Sequence, residues 1–255
     1  ICDFGTGGTI TGSLNVQFLQ DLTGSFGDDI ANVRTLVPQI VTALQSVQGG
    51  AAFGVSTFRD KAYGSFGGAG DWVYQTALSV GNSPTALTAA YSGFVASGGA
   101  DLPESQLEAL MQVGLRAGGE VGFQTNAARF AVVFTDASFH TAADGQAAGL
   151  ATANNGDAIL DGNGIGENYP VVGQVRAALE AANVIPIFAV TAGLETTYQG
   201  LVGDLGRGAV VTLSANSSNI VTAITTGLTT ATTTHIAAAS GGAGNATLIG
   251  NVGAN

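Results

Sequence analysis

The stretch Asp21-Leu22-Thr23-Gly24-Ser25-Phe26-Gly27-Asp28-Asp29 follows an apolar run and sets five oxygen-bearing side chains into nine residues. Two hydroxyls at alternate positions follow the first carboxylate, and two adjacent carboxylates close the stretch. Such a set suits a hard divalent cation, which takes oxygen ligands and keeps water in its shell. Zinc and copper are poorly suited to it, because no histidine or cysteine lies nearby. The stretch therefore predicts a cation site.

The composition favours a folded, soluble and acidic chain. Of the 255 residues 45% are hydrophobic, which is ample for a buried core. The 18 acidic and 7 basic residues give a formal net charge of −11, which argues against binding to nucleic acids or anionic membranes, since both need basic side chains. No apolar run reaches the roughly 20 residues of a membrane span, and no basic and apolar leader stands at the N-terminus.

The cysteine and lysine content bears on where the protein works. The single Cys2 excludes an internal disulfide framework, so stability must come from the core and from bound metal. Low lysine content, 39 glycines and a tail rich in Thr, Ala, Gly and Asn are typical of secreted or surface proteins of microbes. We therefore expect an extracellular or cell-surface protein.

Hydrophobic periodicity predicts alternating strands and helices along most of the chain. The predicted strands are 14–22, 52–58, 129–135, 184–190 and 209–213, and the predicted helices are 28–47, 83–96, 105–116, 171–182, 195–205 and 219–230. The apolar run at 129–135 is typical of a parallel strand that is covered on both faces. Glycine-rich, polar residues at 62–71 and 141–168 predict loops. The pattern predicts a doubly wound α/β fold with a mostly parallel central sheet and short β-rich terminal segments.

Three acidic residues lie at or just beyond the end of a predicted strand. They are Asp21, Asp60 and Asp136. Ligands of doubly wound sheets gather beyond the carboxyl ends of the strands, so these carboxylates should converge on one edge. The cation site thereby gains a place in the fold.

Each of these features also has a simpler interpretation. An Asp-x-Thr-x-Ser sequence after a strand can be a turn with a helix N-cap, and Asp28 with Asp29 can complement a helix dipole. Asp60 stands between two basic residues and can belong to a solvated turn. His140 and His235 are far apart in the sequence, and neither is predicted as a metal ligand.

Taken together, the motifs resemble the von Willebrand factor A domains, and within them the I-like domain of integrin β subunits. The general pattern, Asp-x-Ser/Thr-x-Ser with a later Thr-Asp at a strand end, stands here at 21–25 and 135–136. The integrin-like segments follow in order as Asp28-Asp29, Phe58-Arg59-Asp60-Lys61, Asp101-Leu102-Pro103-Glu104-Ser105, Thr135-Asp136-Ala137-Ser138-Phe139-His140, Ile185-Pro186-Ile187-Phe188-Ala189-Val190-Thr191 and Leu213-Ser214-Ala215-Asn216-Ser217-Ser218-Asn219. The resemblance divides the chain into an N-terminal strand or linker at 1–13, the domain at 14–230 and a Gly/Thr/Ala-rich extension at 231–255.

The resemblance implies a row of three cation sites. The central site, which in the family holds magnesium and faces the ligand, would be formed by Asp21, Thr23, Ser25, Glu104 and Asp136. A flanking calcium site near the first helix would be formed by Asp28, Asp29 and the backbone carbonyls of Ser25 and Ala215. A second flanking calcium site would be formed by Asp60, Asp101, Glu104 and the carbonyl of Pro103, so that Glu104 would bridge two ions.

The chain also departs from the family pattern. Gly99 stands where the family has an Asn ligand of the second flanking site, which weakens that site. The loop that helps to set ligand specificity is shortened to about 62–73 and lacks cysteines, and Gly24 replaces a bulkier residue between the two hydroxyls. These changes affect the choice of partner more than the binding of metal.

The function implied by the resemblance is a non-enzymatic, metal-dependent adhesion module that holds an acidic residue of a protein partner through the central ion. The alternative is a calcium-stabilised structural subunit of a surface layer, filament or other assembly of identical copies, which the 10% charged residues and the Thr/Ala/Gly-rich ends favour. An enzyme is not expected, since the segment Gly54-Val55-Ser56-Thr57-Phe58 lacks the last glycine of a hydrolase elbow and no phosphate loop occurs. The tail at 241–250 looks like a degraded calcium-binding Gly-rich repeat that has Ala246 in place of its Asp, so we predict that it forms extended strand or links to another module rather than binds calcium.

Overall fold

The structure is a computed structural model that describes the backbone of residues 2–3, 13–239 and 247–248 and the side chains of residues 13–233. The strands are β1 (Cys2–Asp3), β2 (Ser13–Asp21), β3 (Ala52–Phe58), β4 (Gln75–Gly81), β5 (Ala127–Thr135), β6 (Val184–Thr191), β7 (Ala209–Leu213) and β8 (Thr247–Leu248). The helices are α1 (Gly27–Val47), α2 (Pro84–Ser92), α3 (Gln106–Leu115), α4 (Ala142–Ala148), α5 (Val172–Ala182), α6 (Glu195–Leu205) and α7 (Ile220–Ala239).

The central sheet has six strands in the order β4-β3-β2-β5-β6-β7. Every neighbouring pair is parallel except β3 and β4, which are antiparallel. The predicted α/β class with a mostly parallel sheet is thus confirmed. The crossovers place helices on both faces, and each face has its own hydrophobic cluster, one beneath α1, α2 and α7 and the other beneath α3, α5 and α6.

Strand β2 lies at the centre of the sheet and is covered on both faces, although its apolar residues are interspersed with buried polar ones such as Asn15 and Gln17. Every residue from Leu14 to Asp21 is buried. In the parallel register Asp21 pairs with Phe58 of β3, and Gln20 pairs with Phe134 of β5. These three strands therefore end at the same edge of the sheet.

Helix α1 forms as its spacing predicts. Its buried face consists of Asp29, Ile30, Val33, Val37, Ile40, Val41 and Leu44. The helix ends at Gln48, whose extended backbone breaks the helical pattern directly before the two glycines at 49–50. Because only residues 22–26 separate β2 from α1, the N-terminal end of α1 lies at the same edge of the sheet at which β2 ends.

Three elements differ from the sequence prediction. Strand β4 was not predicted, because its residues alternate between exposed and half-buried and so form no continuous apolar run. Helix α4 lies inside the stretch that was expected to be a loop, and α7 extends beyond the predicted end at residue 230 to Ala239.

The described parts of the two terminal segments pair with each other. Cys2 lies opposite Leu248, and Asp3 lies opposite Thr247, in an antiparallel pair of strands. The rest of the predicted strand at 241–250 lies outside the described residues. No helix in the described part of the chain is both long enough and apolar enough to cross a membrane.

Candidate metal centre

The central cluster lies where β2 and β5 end. The backbone N and Oγ1 of Thr23 donate hydrogen bonds to Oδ1 of Asp21, at 2.8 and 2.6 Å. Thr135 donates from Oγ1 to the other oxygen, Oδ2, at 2.7 Å. Ser25 donates from Oγ to Oδ1 of Asp136 at 2.9 Å. The structure thus brings four of the five predicted central residues into one cluster and adds Thr135.

The hydroxyls of Thr23 and Ser25 are oriented in a way that suits a cation. Their oxygen atoms lie 3.2 Å apart. Each hydroxyl has one hydrogen, and each donates it to a carboxylate, on Asp21 and Asp136 respectively. Lone pairs of the two oxygens therefore face the same space, which a hard cation fits well.

Glu104, the fifth predicted central residue, is a buried carboxyl with an unsatisfied oxygen. It is 2% exposed, and its Oε2 has no hydrogen-bond partner among the described residues. Burial raises the pKa of Glu104 to about 11, and the charges of Asp21, Asp60 and Asp101 add to the effect. A buried carboxyl among three other acids fits a position between two cations, as the resemblance implies for this residue.

The buried carboxylate of Asp21 is in a similar position. Burial raises its pKa to about 7, against the opposing effect of its hydrogen bonds from Thr23 and Thr135. Two like charges about 4 Å apart repel by about 4 kcal/mol at an effective dielectric constant of about 20. Divalent cations would relieve this repulsion between the carboxylates, so the donor set fits a metal.

The first flanking cluster lies at the beginning of α1. Asp28 is exposed and Asp29 is buried, and Ser217 donates from Oγ to Oδ1 of Asp29 at 2.5 Å. Burial raises the pKa of Asp29 to about 6, with a further rise from the charges of Asp28 and Asp136. Ala215, whose carbonyl was predicted as a ligand, is exposed in the same turn as Ser217. The sequence prediction missed Ser217, although it stands in one of the quoted motifs.

The second flanking cluster joins Asp60, Asp101 and a histidine. Asp60 is fully buried, so its simpler interpretation as a solvated turn is wrong. Nε2 of His140 lies 3.1 Å from Oδ2 of Asp60 and 3.3 Å from Oδ1 of Asp101. Burial lowers the pKa of His140, but the two carboxylates outweigh it, so that the pKa is raised. The half-buried Pro103 lies between Asp101 and Glu104 in this loop.

The sequence prediction missed His140 because the other members of its cluster, Asp60 and Asp101, are far from it in the sequence. The residue is carried to the cluster by a short backbone bridge between Glu104 and Phe139. Glu104 donates its N–H to the carbonyl of Ser138, and His140 donates its N–H to the carbonyl of Glu104, both at 2.9 Å. Its place in the Thr-Asp motif was the one available signal.

Two glycines shape the loop between α2 and the clusters. Gly98 and Gly99 have φ values of 79° and 62°, in the left-handed region that glycine adopts most easily. A Cβ atom on Gly99 would lie 2.5 Å from Oε1 of Glu104. The carbonyl of Gly98 accepts a hydrogen bond from the N–H of Gly24 at 2.8 Å. The departure from the family at position 99 therefore leaves room for the Glu104 carboxylate.

A buried lysine binds the loop between α4 and α5, residues 149–171, to the edge of the sheet that carries the acidic clusters. Nζ of Lys61 lies 2.6 Å from Oε2 of Glu108, and both side chains are fully buried. The same ammonium group donates to the carbonyl of Gly164 and lies 4.9 Å from the centre of the Tyr169 ring. Tyr169 in turn donates its hydroxyl hydrogen to Oδ1 of Asp60. The loop and the second flanking cluster are thus one connected structure.

Comparisons with known proteins agree with this architecture. The family model described as the integrin beta chain VWA domain matches residues 12–234. Integrin beta-7 of Homo sapiens is 32% identical over 230 residues, which cover 82% of this chain and 29% of the relative. Integrin beta-2 of Ovis canadensis is 30% identical over 229 residues, which cover 82% of this chain and 30% of the relative. The chain thus spans less than a third of the length of these relatives.

One solved structure shares the fold at low sequence identity. It is the crystal structure of the SpRpn10 VWA domain, with a TM-score of 0.51 and 11% identity. The similarity covers 82% of this chain and 93% of that chain. At this identity the likeness concerns the fold alone.

Proposed function

The chain belongs to the family of integrin β-chain von Willebrand factor A domains, and we propose that it is a non-enzymatic, metal-dependent binding module for an acidic residue of a protein partner. The observation that carries this proposal is the cluster at the sheet edge in which Thr23 donates to Asp21, Ser25 donates to Asp136, and the two hydroxyl oxygens lie 3.2 Å apart. Every side-chain ligand in it is oxygen, which suits a hard divalent cation, and the family resemblance makes magnesium the proposed ion at the centre.

The proposed central site combines neutral and charged ligands. Asp21, Glu104 and Asp136 would hold the ion together with the hydroxyls of Thr23 and Ser25. Neutral hydroxyls leave more positive charge on the ion than carboxylates in their place would. The bound ion would supply an electrophilic position for a partner carboxylate. Ser25 is exposed and Asp136 is half-buried, which supports an opening of the site on their side.

The flanking clusters would hold further divalent ions. Calcium is proposed beside α1, where Asp28, Asp29 and the carbonyls of Ser25 and Ala215 are the candidate ligands. The second flanking site would use Asp60, Asp101, Glu104 and the carbonyl of Pro103. These ions would offset the repulsion among the carboxylates and hold in place the loops that carry them.

The setting of this activity is proposed from the same family membership. We place the domain on a cell surface or outside the cell, at residues 14–230, between a short N-terminal linker and the C-terminal extension. The microbial origin expected from the composition stays a prediction.

The experiment that tests the function uses peptides in place of the unidentified partner. A library of immobilised peptides with a central Asp or Glu, and a matched library with Asn or Gln, would be incubated with the chain in magnesium and calcium. We expect binding to acidic peptides alone, lost with a chelator and in Asp21→Ala. Asp204→Ala removes an exposed acid of α6 and should bind as the wild type does.

Two results would overturn the proposal. One is acidic-peptide binding that persists in Asp21→Ala or after chelation. The other is calcium-dependent self-association in size-exclusion chromatography without any binding to the acidic library, which would favour the structural subunit of an assembly.

A further inference from the structure

The second flanking cluster contains a nitrogen ligand. Asp60, Asp101 and His140 offer three ligand atoms that lie within 4.8 Å of one another. The imidazole Nε2 is 3.1 and 3.3 Å from the two carboxylate oxygens. Two ligands on a tetrahedral zinc ion lie about 3.4 Å apart when each metal–ligand distance is about 2.1 Å. The two distances from Nε2 to the carboxylate oxygens are therefore close to the ligand spacing of such a site.

The position of the imidazole is built into the fold. His140 is 2% exposed, and its backbone N–H is bound to the carbonyl of Glu104 at 2.9 Å. The ring stacks on Tyr169, with the ring centres 4.8 Å apart and the planes at 19°, and it contacts Phe66 on a second side. A ring held in this way points Nε2 at the two carboxylates in a fixed direction.

Glu104 lies outside the group of three ligand atoms within 4.8 Å of one another, and it is the candidate for a fourth ligand because its buried carboxyl is close enough to feel their charges. Oε2 of Glu104 is buried and unpartnered among the described residues, and the charges of Asp60 and Asp101 act on it. Gly99 contributes no side chain where the family has an amide. Four side-chain donors suit tetrahedral zinc, whereas calcium takes six to eight oxygen ligands and accepts imidazole poorly.

We propose that this second flanking site binds zinc, or a borderline transition ion like it, through His140, Asp60, Asp101 and Glu104, rather than the calcium that the sequence resemblance implies. The proposal rests on the row of three cation sites in the proposed function and specifies the ion at one end of that row. Nδ1 of His140 lies 3.8 Å from Oδ2 of Asp144. That carboxylate would favour the Nδ1–H tautomer electrostatically and so direct Nε2 to the metal.

The direct test is a metal titration of the full chain after chelator treatment. Zinc would be titrated by calorimetry in the presence of excess magnesium and calcium, and cobalt would be followed by its visible ligand-field absorption. We expect one zinc equivalent, a cobalt spectrum of tetrahedral type, and a loss of zinc affinity of about 100-fold or more in His140→Gln. His235→Gln removes the only other histidine of the sequence and should bind zinc as the wild type does.

A second measurement keeps the test independent of whether His140→Gln folds. Nitrogen NMR of the wild-type imidazoles should show a zinc-dependent shift at Nε2 of one histidine, with Nδ1 protonated. Equal zinc affinity in wild type and His140→Gln, or unchanged imidazole signals, would overturn the assignment.

The design separates this inference from the proposed function. Asp21→Ala removes a predicted ligand of the central site and should lose acidic-peptide binding while it keeps the zinc equivalent. The wild-type chain could bind zinc through His140 and yet bind no acidic peptide. That result would support the zinc site and refute the adhesive function.

Discussion

The hydroxyl of Ser25 donates a hydrogen bond of 2.9 Å to Asp136, a residue 111 positions further along the chain. This contact joins the loop after β2 to the loop after β5, and it belongs to the cluster for which we propose magnesium. It is exposed, so its contribution to folding is small and its contribution to metal binding should dominate.

Ser25→Ala should separate these two contributions. We expect the free energy of unfolding of the metal-free chain to change by no more than about 1 kcal/mol. Magnesium affinity should fall by about 10-fold or more because a ligand is lost. Calorimetry and urea unfolding measure the two quantities. Ser46→Ala, which removes an exposed hydroxyl bonded only within α1, should leave magnesium affinity unchanged.

The stability of the metal-free chain should fall as the pH rises. Burial raises the pKa of Asp21 from 3.8 to about 7, so the folded chain holds a proton that the unfolded chain releases. The associated stability is complete below the unfolded pKa and is lost as the pH rises through the folded value, near 7. Thermal unfolding in a chelator should show a falling Tm across this window.

Metal should cancel that dependence, since the cation replaces the proton as the partner of the carboxylate. Asp21→Asn should flatten the metal-free profile as well. A Tm that stays constant or rises across the window in the chelated wild-type chain would contradict the expected burial of an ionisable Asp21.

Leu102 should contribute to partner binding. It lies between Asp101 and Pro103 and is 74% exposed, so an apolar residue next to the partner's carboxylate would cover it. We expect Leu102→Ala to lower the affinity for an acidic peptide by about 10-fold. Fluorescence anisotropy of a labelled peptide from the acidic library measures this.

Ile159→Ala provides the matched control. Ile159 is 64% exposed. The carbonyls of its neighbours Asp157 and Ala158 accept hydrogen bonds from the side chains of Gln112 and Arg116. These two residues lie at the C-terminal end of α3, which is remote from the three cation clusters. Its removal should leave peptide affinity unchanged. An equal loss of peptide affinity in Leu102→Ala and Ile159→Ala would contradict a specific contact between Leu102 and the partner.

Gly98→Ala should destabilise the loop next to the clusters. The added Cβ would lie 1.8 Å from Oδ1 of Asp71, at a φ of 79°. We expect a loss of about 1 to 3 kcal/mol in the free energy of unfolding. Gly118→Ala is the control, since a Cβ there meets nothing within 4 Å. Equal free energies of unfolding for Gly98→Ala and Gly118→Ala in urea would refute the expected strain at position 98.

The sequence contained enough to predict the sheet and the central cluster. A pattern that alternates and then becomes apolar indicated β2, and a continuous apolar run indicated β5. Parallel strands end at one edge of a sheet, so the convergence of Asp21 and Asp136 followed from topology. The elements that escaped prediction lack such runs. Strand β4 is half-exposed, and α4 has only seven residues, with Asp144 bonded to Thr141 at its beginning.

The composition of the second flanking cluster could not be predicted in the same way. His140 meets Asp60 and Asp101 because Glu104 forms a backbone bridge to the 138–140 segment. That bridge joins two irregular loops, and neither loop has a periodic pattern that would indicate the pairing. The same absence of pattern hid the hydrogen bond from Ser217 to Asp29.

Lys61 is the only lysine of the sequence, and its ammonium group is enclosed by Glu108, Gly164 and Tyr169. A folded domain of this kind offers no side-chain amine to acylating dyes, biotin esters or amine-directed crosslinkers. The rate at which Lys61 is acylated would then depend on how often the loop between α4 and α5 opens. A single chemical label would therefore report local unfolding at one known position.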